Sequence, residues 1–217
     1  MINAPVPLFG YEDPDRLQHM YDFVRGYAEE NGMVQTLEAL VFADRCHKGQ
    51  FRRSRNCLPY ISHPLLMACH AVTLGVGEDD LLSTVLLHDT LEDCGVKASE
   101  LPAGDEVKRA VELLTFRIRE GEDKAAAKKR YFETLALDPV AALTKLLDRC
   151  NNVSYMVDAF SAEKVRSYVE ETKTYVYPLP GIIRTVKPDW AAPAYTVKYH
   201  IYSVISTIEI MMERKLW

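Results

Sequence analysis

His88 and Asp89 close an otherwise apolar stretch, Leu81-Leu82-Ser83-Thr84-Val85-Leu86-Leu87, and Glu92 and Asp93 follow within one helical turn. Five of the seven residues before the pair are apolar, so the segment is expected to be buried. Burying four ionisable groups without compensation costs several kcal/mol per charge. A divalent cation is the simplest compensation, and it points to a metal-dependent hydrolase.

Two other places supply matching ligands. His63 opens an apolar helical stretch, and Asp148 sits among polar residues after Leu146-Leu147. Two imidazoles and two carboxylates, His63, His88, Asp89 and Asp148, suit a borderline-to-hard ion such as Mn²⁺, Fe²⁺ or Zn²⁺. Such a set leaves coordination positions open for water and a phosphate oxygen, as Lewis-acid hydrolysis requires. His88 and Glu92 are four apart, as are Asp89 and Asp93. Both carboxylates are therefore expected to point into the same space as the ligands, one turn on, where a carboxylate can hold and deprotonate an attacking water.

The elements that must position these residues read as helices. Asp13-Pro14 is an N-cap and first-turn pair for a helix to about residue 30. Further helices are expected at 34–47, 63–75, 78–93, 104–119, 123–136, 138–156, 161–176 and 192–216. Residues 50–60 form a polar loop rich in arginine. Tyr175-Val176-Tyr177 and Ile182 to Val186 are β-branched pieces that could be extended, but sustained alternation is missing. The fold class is therefore all-α. The charged run from Arg117 to Arg130 reads as a solvated helix–loop–helix, with contact to an anionic ligand as the alternative.

Bulk properties narrow the function. The chain has 217 residues and a formal net charge of -5, which disfavours a general nucleic-acid binder. Its five cysteines form no CxxC pair and read as reduced thiols. No apolar run reaches the roughly 20 residues needed to cross a bilayer, and the first residues do not resemble a secretion signal. A cytoplasmic location with no membrane partner is expected. Met211-Met212 reads as core filling or as a contact between copies in a homo-oligomer.

Four segments taken together carry a resemblance. They are His47-Lys48-Gly49-Gln50-Phe51-Arg52-Arg53-Ser54, Pro59-Tyr60-Ile61-Ser62-His63-Pro64, Leu86 to Asp93, and Lys145 to Asn152. In this order they resemble the hydrolase domain of the RelA/SpoT family and its stand-alone small alarmone hydrolases, the metazoan SpoT-like enzymes among them. The resemblance spans about residues 35 to 180. It implies an HD-domain helical bundle over 1–180, with 181–217 as a C-terminal helical extension packed on the same domain. It implies a bound Mn²⁺ on His63, His88, Asp89 and Asp148, and a catalytic pair at Glu92 and Asp93. The implied partner is a small nucleotide, contacted by Arg52, Arg53, Ser54, Lys145, Asn152 and Tyr155. The implied reaction removes the 3′-pyrophosphate of (p)ppGpp.

Two departures touch the base and not the metal. The family's loop reads Arg-Lys-Ser-Gly-Glu-Pro-Tyr, whereas Arg52 to Tyr60 is two residues longer and lacks the glycine. Position 155, usually small and polar, is tyrosine. An adenosine alarmone or the 2′-phosphate of NADPH is the alternative substrate. A non-catalytic module that binds a nucleotide or a toxin synthetase is the alternative class.

Overall fold

A computed structural model describes residues 15–53 and 57–215. The N-cap expected at Asp13-Pro14 and the contact expected at Ser54 lie outside the described residues. Helices α1 (Arg16–Glu30), α2 (Val34–Cys46), α3 (Ser62–Thr73) and α4 (Asp79–Leu87) are followed by a single turn, α5 (Thr90–Asp93). Then come α6 (Asp105–Leu114), α7 (Lys124–Leu135), α8 (Pro139–Val153), α9 (Met156–Ala159) and α10 (Ala162–Glu171). Helices α11 (Leu179–Val186) and α12 (Ala191–Glu213) complete the bundle. Among the described residues the only β-type pairing is an isolated bridge between Phe51 and Pro59.

Local chemistry sets the ends that matter. Asp138 caps α8 by accepting from the Val140 and Ala141 amides at 2.9 and 3.0 Å, with Pro139 in the first position. Helix α3 ends in a Schellman turn: Val76 N–H reaches Ala71 O at 3.0 Å and Gly75 N–H reaches Val72 O at 3.0 Å. Gly75 takes φ of 75° there, where a side chain would be strained.

The core sits where α3, α4 and α8 meet. Leu65, Met67, Leu81, Leu82, Leu86, Leu143, Leu146 and Leu147 are buried in it. Helix α8 is central, packing against α3, α4, α6, α11 and α12. That position explains why Asp148, Arg149 and Asn151 are buried although polar. Met212 is half-buried and packs against the core.

Three expectations need correction. The helix foreseen over 78–93 is broken at His88-Asp89, and a new turn begins at Thr90, whose hydroxyl donates to the Leu87 carbonyl at 2.7 Å. The stretch foreseen over 104–119 is helical only to Leu114. Tyr175 to Tyr177 and Ile182 to Val186 are not extended. The first falls on a π-helical turn, Thr172–Val176, and its end; the second lies in α11. Packing of their apolar residues onto α8 and α12 overrides β-propensity there.

Candidate metal centre

His63 stands in the first turn of α3, where Pro64 needs no N–H partner. His88 and Asp89 stand at the α4–α5 break, and Asp148 in the middle of α8. Ligand atoms of His63, His88 and Asp148 all lie within 4.8 Å of one another, and all three residues are buried. His63 Nε2 lies 3.3 Å from Asp148 Oδ1 and 3.6 Å from Asp89 Oδ2, and His88 Nε2 lies 2.9 Å from Asp89 Oδ2.

The imidazoles are turned for coordination by their other nitrogens. His63 Nδ1 is 2.7 Å from Asn151 Oδ1, an acceptor, so this nitrogen donates. His88 Nδ1 donates to the Val85 carbonyl at 2.9 Å. Both Nε2 atoms are thereby aimed at the carboxylates, the orientation found in metal-binding histidines. His88 Nε2 is buried and has no properly aligned hydrogen bond. Such an orphan in a cluster of two imidazoles and carboxylates fits a dication.

The electrostatics agree. Burial would raise the Asp148 carboxyl, but the Lys145 ammonium and His63 hold it well below the usual range. Lys145 Nζ is 2.8 Å from Asp148 Oδ2, and the Asn152 amide donates to Oδ1 at 2.5 Å. Burial likewise opposes ionisation of Asp89, yet His88 and His63 keep it below its ordinary value. Burial lowers His63. For His88 burial is outweighed by Asp89 and Asp148, which push it up to about 9. The site is built for anions facing a cation.

Two cavities flank the cluster. One, of about 530 Å³, is lined by His88, Asp89 and Glu92 together with Lys124, Lys128, Lys145, Lys164 and Tyr168. The other, of about 340 Å³, is lined by Arg52, Arg53, Tyr60, Asp93, Asn152 and Tyr155. Arg52 is braced across the second cavity by Asn151 Oδ1 at 2.6 Å and Asn152 Oδ1 at 2.9 Å, and lies 5.1 Å from the Tyr155 ring centre.

No family model matches the chain. The human guanosine-3′,5′-bis(diphosphate) 3′-pyrophosphohydrolase MESH1 is 34% identical over 167 residues, covering 71% of this chain and 89% of MESH1. The chain belongs to the RelA/SpoT-type HD-domain hydrolase family. The guanosine-3′,5′-bis(diphosphate) 3′-pyrophosphohydrolase of Aquifex aeolicus is 33% identical over 162 residues, 70% of this chain. The chain spans 23% of that longer relative. A solved structure of a metazoan ortholog of SpoT, described as hydrolysing ppGpp, aligns with a TM-score of 0.58 and 21% identity. It covers 85% of this chain and 97% of its own, and shows that the all-α HD-domain fold is shared. No helix among the described residues is long and apolar enough to cross a membrane.

The family's Glu-Asp pair is divided in this structure. Glu92 lines the lysine-lined cavity and Asp93 the arginine-lined one, as neighbours on one helical turn that point in different directions, so the two do not share one space. Glu92 also accepts from the Phe116 amide. Arg52, Arg53, Asn152 and Tyr155 gather in one cavity, while Lys145 faces the other. His47, at the entry to the arginine loop, meets Gln50 Oε1 at 2.8 Å through Nδ1.

Lys124, Lys128, Lys164, Tyr168 and Glu171 were not foreseen as site residues. Lys128 is paired with Glu171, and Lys164 lies 3.8 Å from the Phe160 ring centre. Their signal was available in part: Lys124 and Lys128 belong to the charged run for which an anionic ligand was the alternative. Tyr175 stacks on Phe132 with centroids 4.8 Å apart. Tyr195, Tyr199 and Tyr202 are exposed on α12.

Proposed function

We propose that the chain is a Mn²⁺-dependent 3′-pyrophosphohydrolase of guanosine alarmones, converting ppGpp or pppGpp to GDP or GTP and pyrophosphate. The carrying observation is the buried ligand cluster between a lysine-lined and an arginine-lined cavity. A nucleotide with phosphates on both ribose ends has that division of charge. His63, His88, Asp89 and Asp148 would hold the ion. When bound, it supplies Lewis acidity at the scissile phosphoryl group and a more acidic water.

The chain's own groups do the rest. Glu92, raised above the ordinary carboxyl range chiefly by burial, accepts a proton from the attacking water. Asp93 orients the ribose side. Lys145 and the lysines of α7 and α10 balance the charge of the pyrophosphate being released. Arg52 and Tyr155 present flat faces on which a purine stacks, with Arg53 and Asn152 beside them.

The test is a panel of nucleotides incubated with purified protein and Mn²⁺, scored for pyrophosphate against orthophosphate. Pyrophosphate from ppGpp in preference to an adenosine alarmone or NADPH is expected. Orthophosphate from NADPH alone would replace this substrate with the competing one. Substituting Glu92 and Asp93 with alanine should abolish turnover and spare metal binding. Nucleotide binding without turnover in the unsubstituted protein would make it a sensor.

A further inference from the structure

Tyr60 lies in the turn entering α3, its backbone N–H held by the Gln50 carbonyl at 2.9 Å. Its ring stacks on His47 with centroids 4.7 Å apart, and meets His63 edge-on at 5.9 Å. Its hydroxyl donates to Asp89 Oδ2 at 2.6 Å. This is the same oxygen that faces His63 and His88. Tyr60 also lines the arginine-lined cavity beside Asp93.

The two carboxylates of the centre are therefore braced differently. Asp148 is held by an ammonium and an amide, Lys145 and Asn152. Asp89 is held by a neutral phenol. A cation at Asp89 would compete with a dication for the same charge. A phenol fixes the oxygen and leaves its charge in place. A phenol, ordinarily ionising near pH 10, keeps its proton at neutral pH, so the hydroxyl works as a donor to Asp89 and not as a base.

We propose that Tyr60 is a positioning residue of the metal centre: its hydroxyl sets the Asp89 carboxylate for the dication, and its stack on His47 fixes the hydroxyl. This rests on the metal-hydrolase reading above. The reaction needs Asp89 in one orientation, and the phenol selects it without entering the reaction.

Tyr60→Phe keeps the ring and its stack and removes only the oxygen. Mn²⁺ titration of the full chain by calorimetry should show affinity weakened about 10–100-fold. The melting temperature of the metal-free protein should change by no more than about 3 °C. At saturating Mn²⁺, kcat for ppGpp should fall about tenfold or more, with KM within about twofold. Tyr60→His, still a ring and still a donor, should recover part of the affinity. Unchanged Mn²⁺ affinity in Tyr60→Phe would overturn the proposal. So would an equal loss in the two variants accompanied by equal melting losses, which marks a merely structural residue. Absence of ppGpp hydrolysis by the unsubstituted protein would defeat the functional reading alone, because the metal titration still judges Tyr60.

Discussion

Glu171→Ala should loosen the wall of the lysine-lined cavity, because the largely buried carboxylate pairs with a buried guanidinium. Arg149 follows Asp148 on α8 and its side chain is 2% exposed. It donates to Glu171 Oε1 at 2.6 Å, to Thr172 Oγ1 at 2.8 Å and to the Tyr168 carbonyl at 3.3 Å, and stacks over the Tyr168 ring at 3.8 Å. Removing the carboxylate leaves a buried guanidinium with its neutral partners only. Breaking such a pair costs about 3–5 kcal/mol, and the surviving contacts place this one near about 3 kcal/mol. For a chain of this size that is a fall in Tm of roughly 6–12 °C at pH 7, read by calorimetry or circular dichroism. The pH dependence has a definite sign. Burial opposes ionisation of Glu171, but Arg149 and Lys128 hold its carboxyl below the ordinary value of 4.5. A depressed carboxyl stabilises the fold above its unfolded pKa and ceases to do so as pH falls through the folded value. The gap between the unsubstituted protein and Glu171→Ala should therefore be full at pH 6–7 and close as the pH drops below about 4. Replacing both partners, Arg149→Met with Glu171→Leu, should restore much of the loss. A Tm change under about 2 °C for Glu171→Ala at pH 7 would refute the view that this pair locks α10 to α8.

Two further outcomes follow from the site. Asn151→Ala removes the acceptor that orients His63 and one brace of Arg52, so Mn²⁺ affinity should weaken about 10–100-fold by titration; an unchanged affinity contradicts the assigned orientation. Lys124→Met and Lys164→Met should raise KM for ppGpp several-fold with little change in kcat, an effect that shrinks at high salt, and a KM indifferent to both would remove the phosphates from this cavity.

The candidate cluster of His63, His88 and Asp148 was legible because its residue types contradict their surroundings. A histidine and an aspartate directly after Leu86-Leu87, and an aspartate directly after Leu146-Leu147, are expensive to bury, and the structure buries His88 and Asp148. The helical class was legible from spacing and from caps such as Asp138-Pro139. The division of Glu92 from Asp93 was not, because it depends on which cavities the packed helices open on either side of α5. The lysine-lined cavity was not legible either. Lys124, Lys128 and Lys164 meet only when α7 and α10 pack beside α8, and along the chain each looks like solvated surface. Tyr60 was visible within a motif, but its bond to Asp89 spans 29 positions and belongs to tertiary structure.

The central claim is that one dication joins α3, the α4–α5 break and α8. Calorimetric titration of the metal-free chain with Mn²⁺, alongside His63→Ala and Asp148→Ala, tests it most directly. One ion per chain in the unsubstituted protein, and binding abolished in both variants, is the predicted result. No binding by the unsubstituted chain, or binding that survives loss of His63 or Asp148 unchanged, would contradict it.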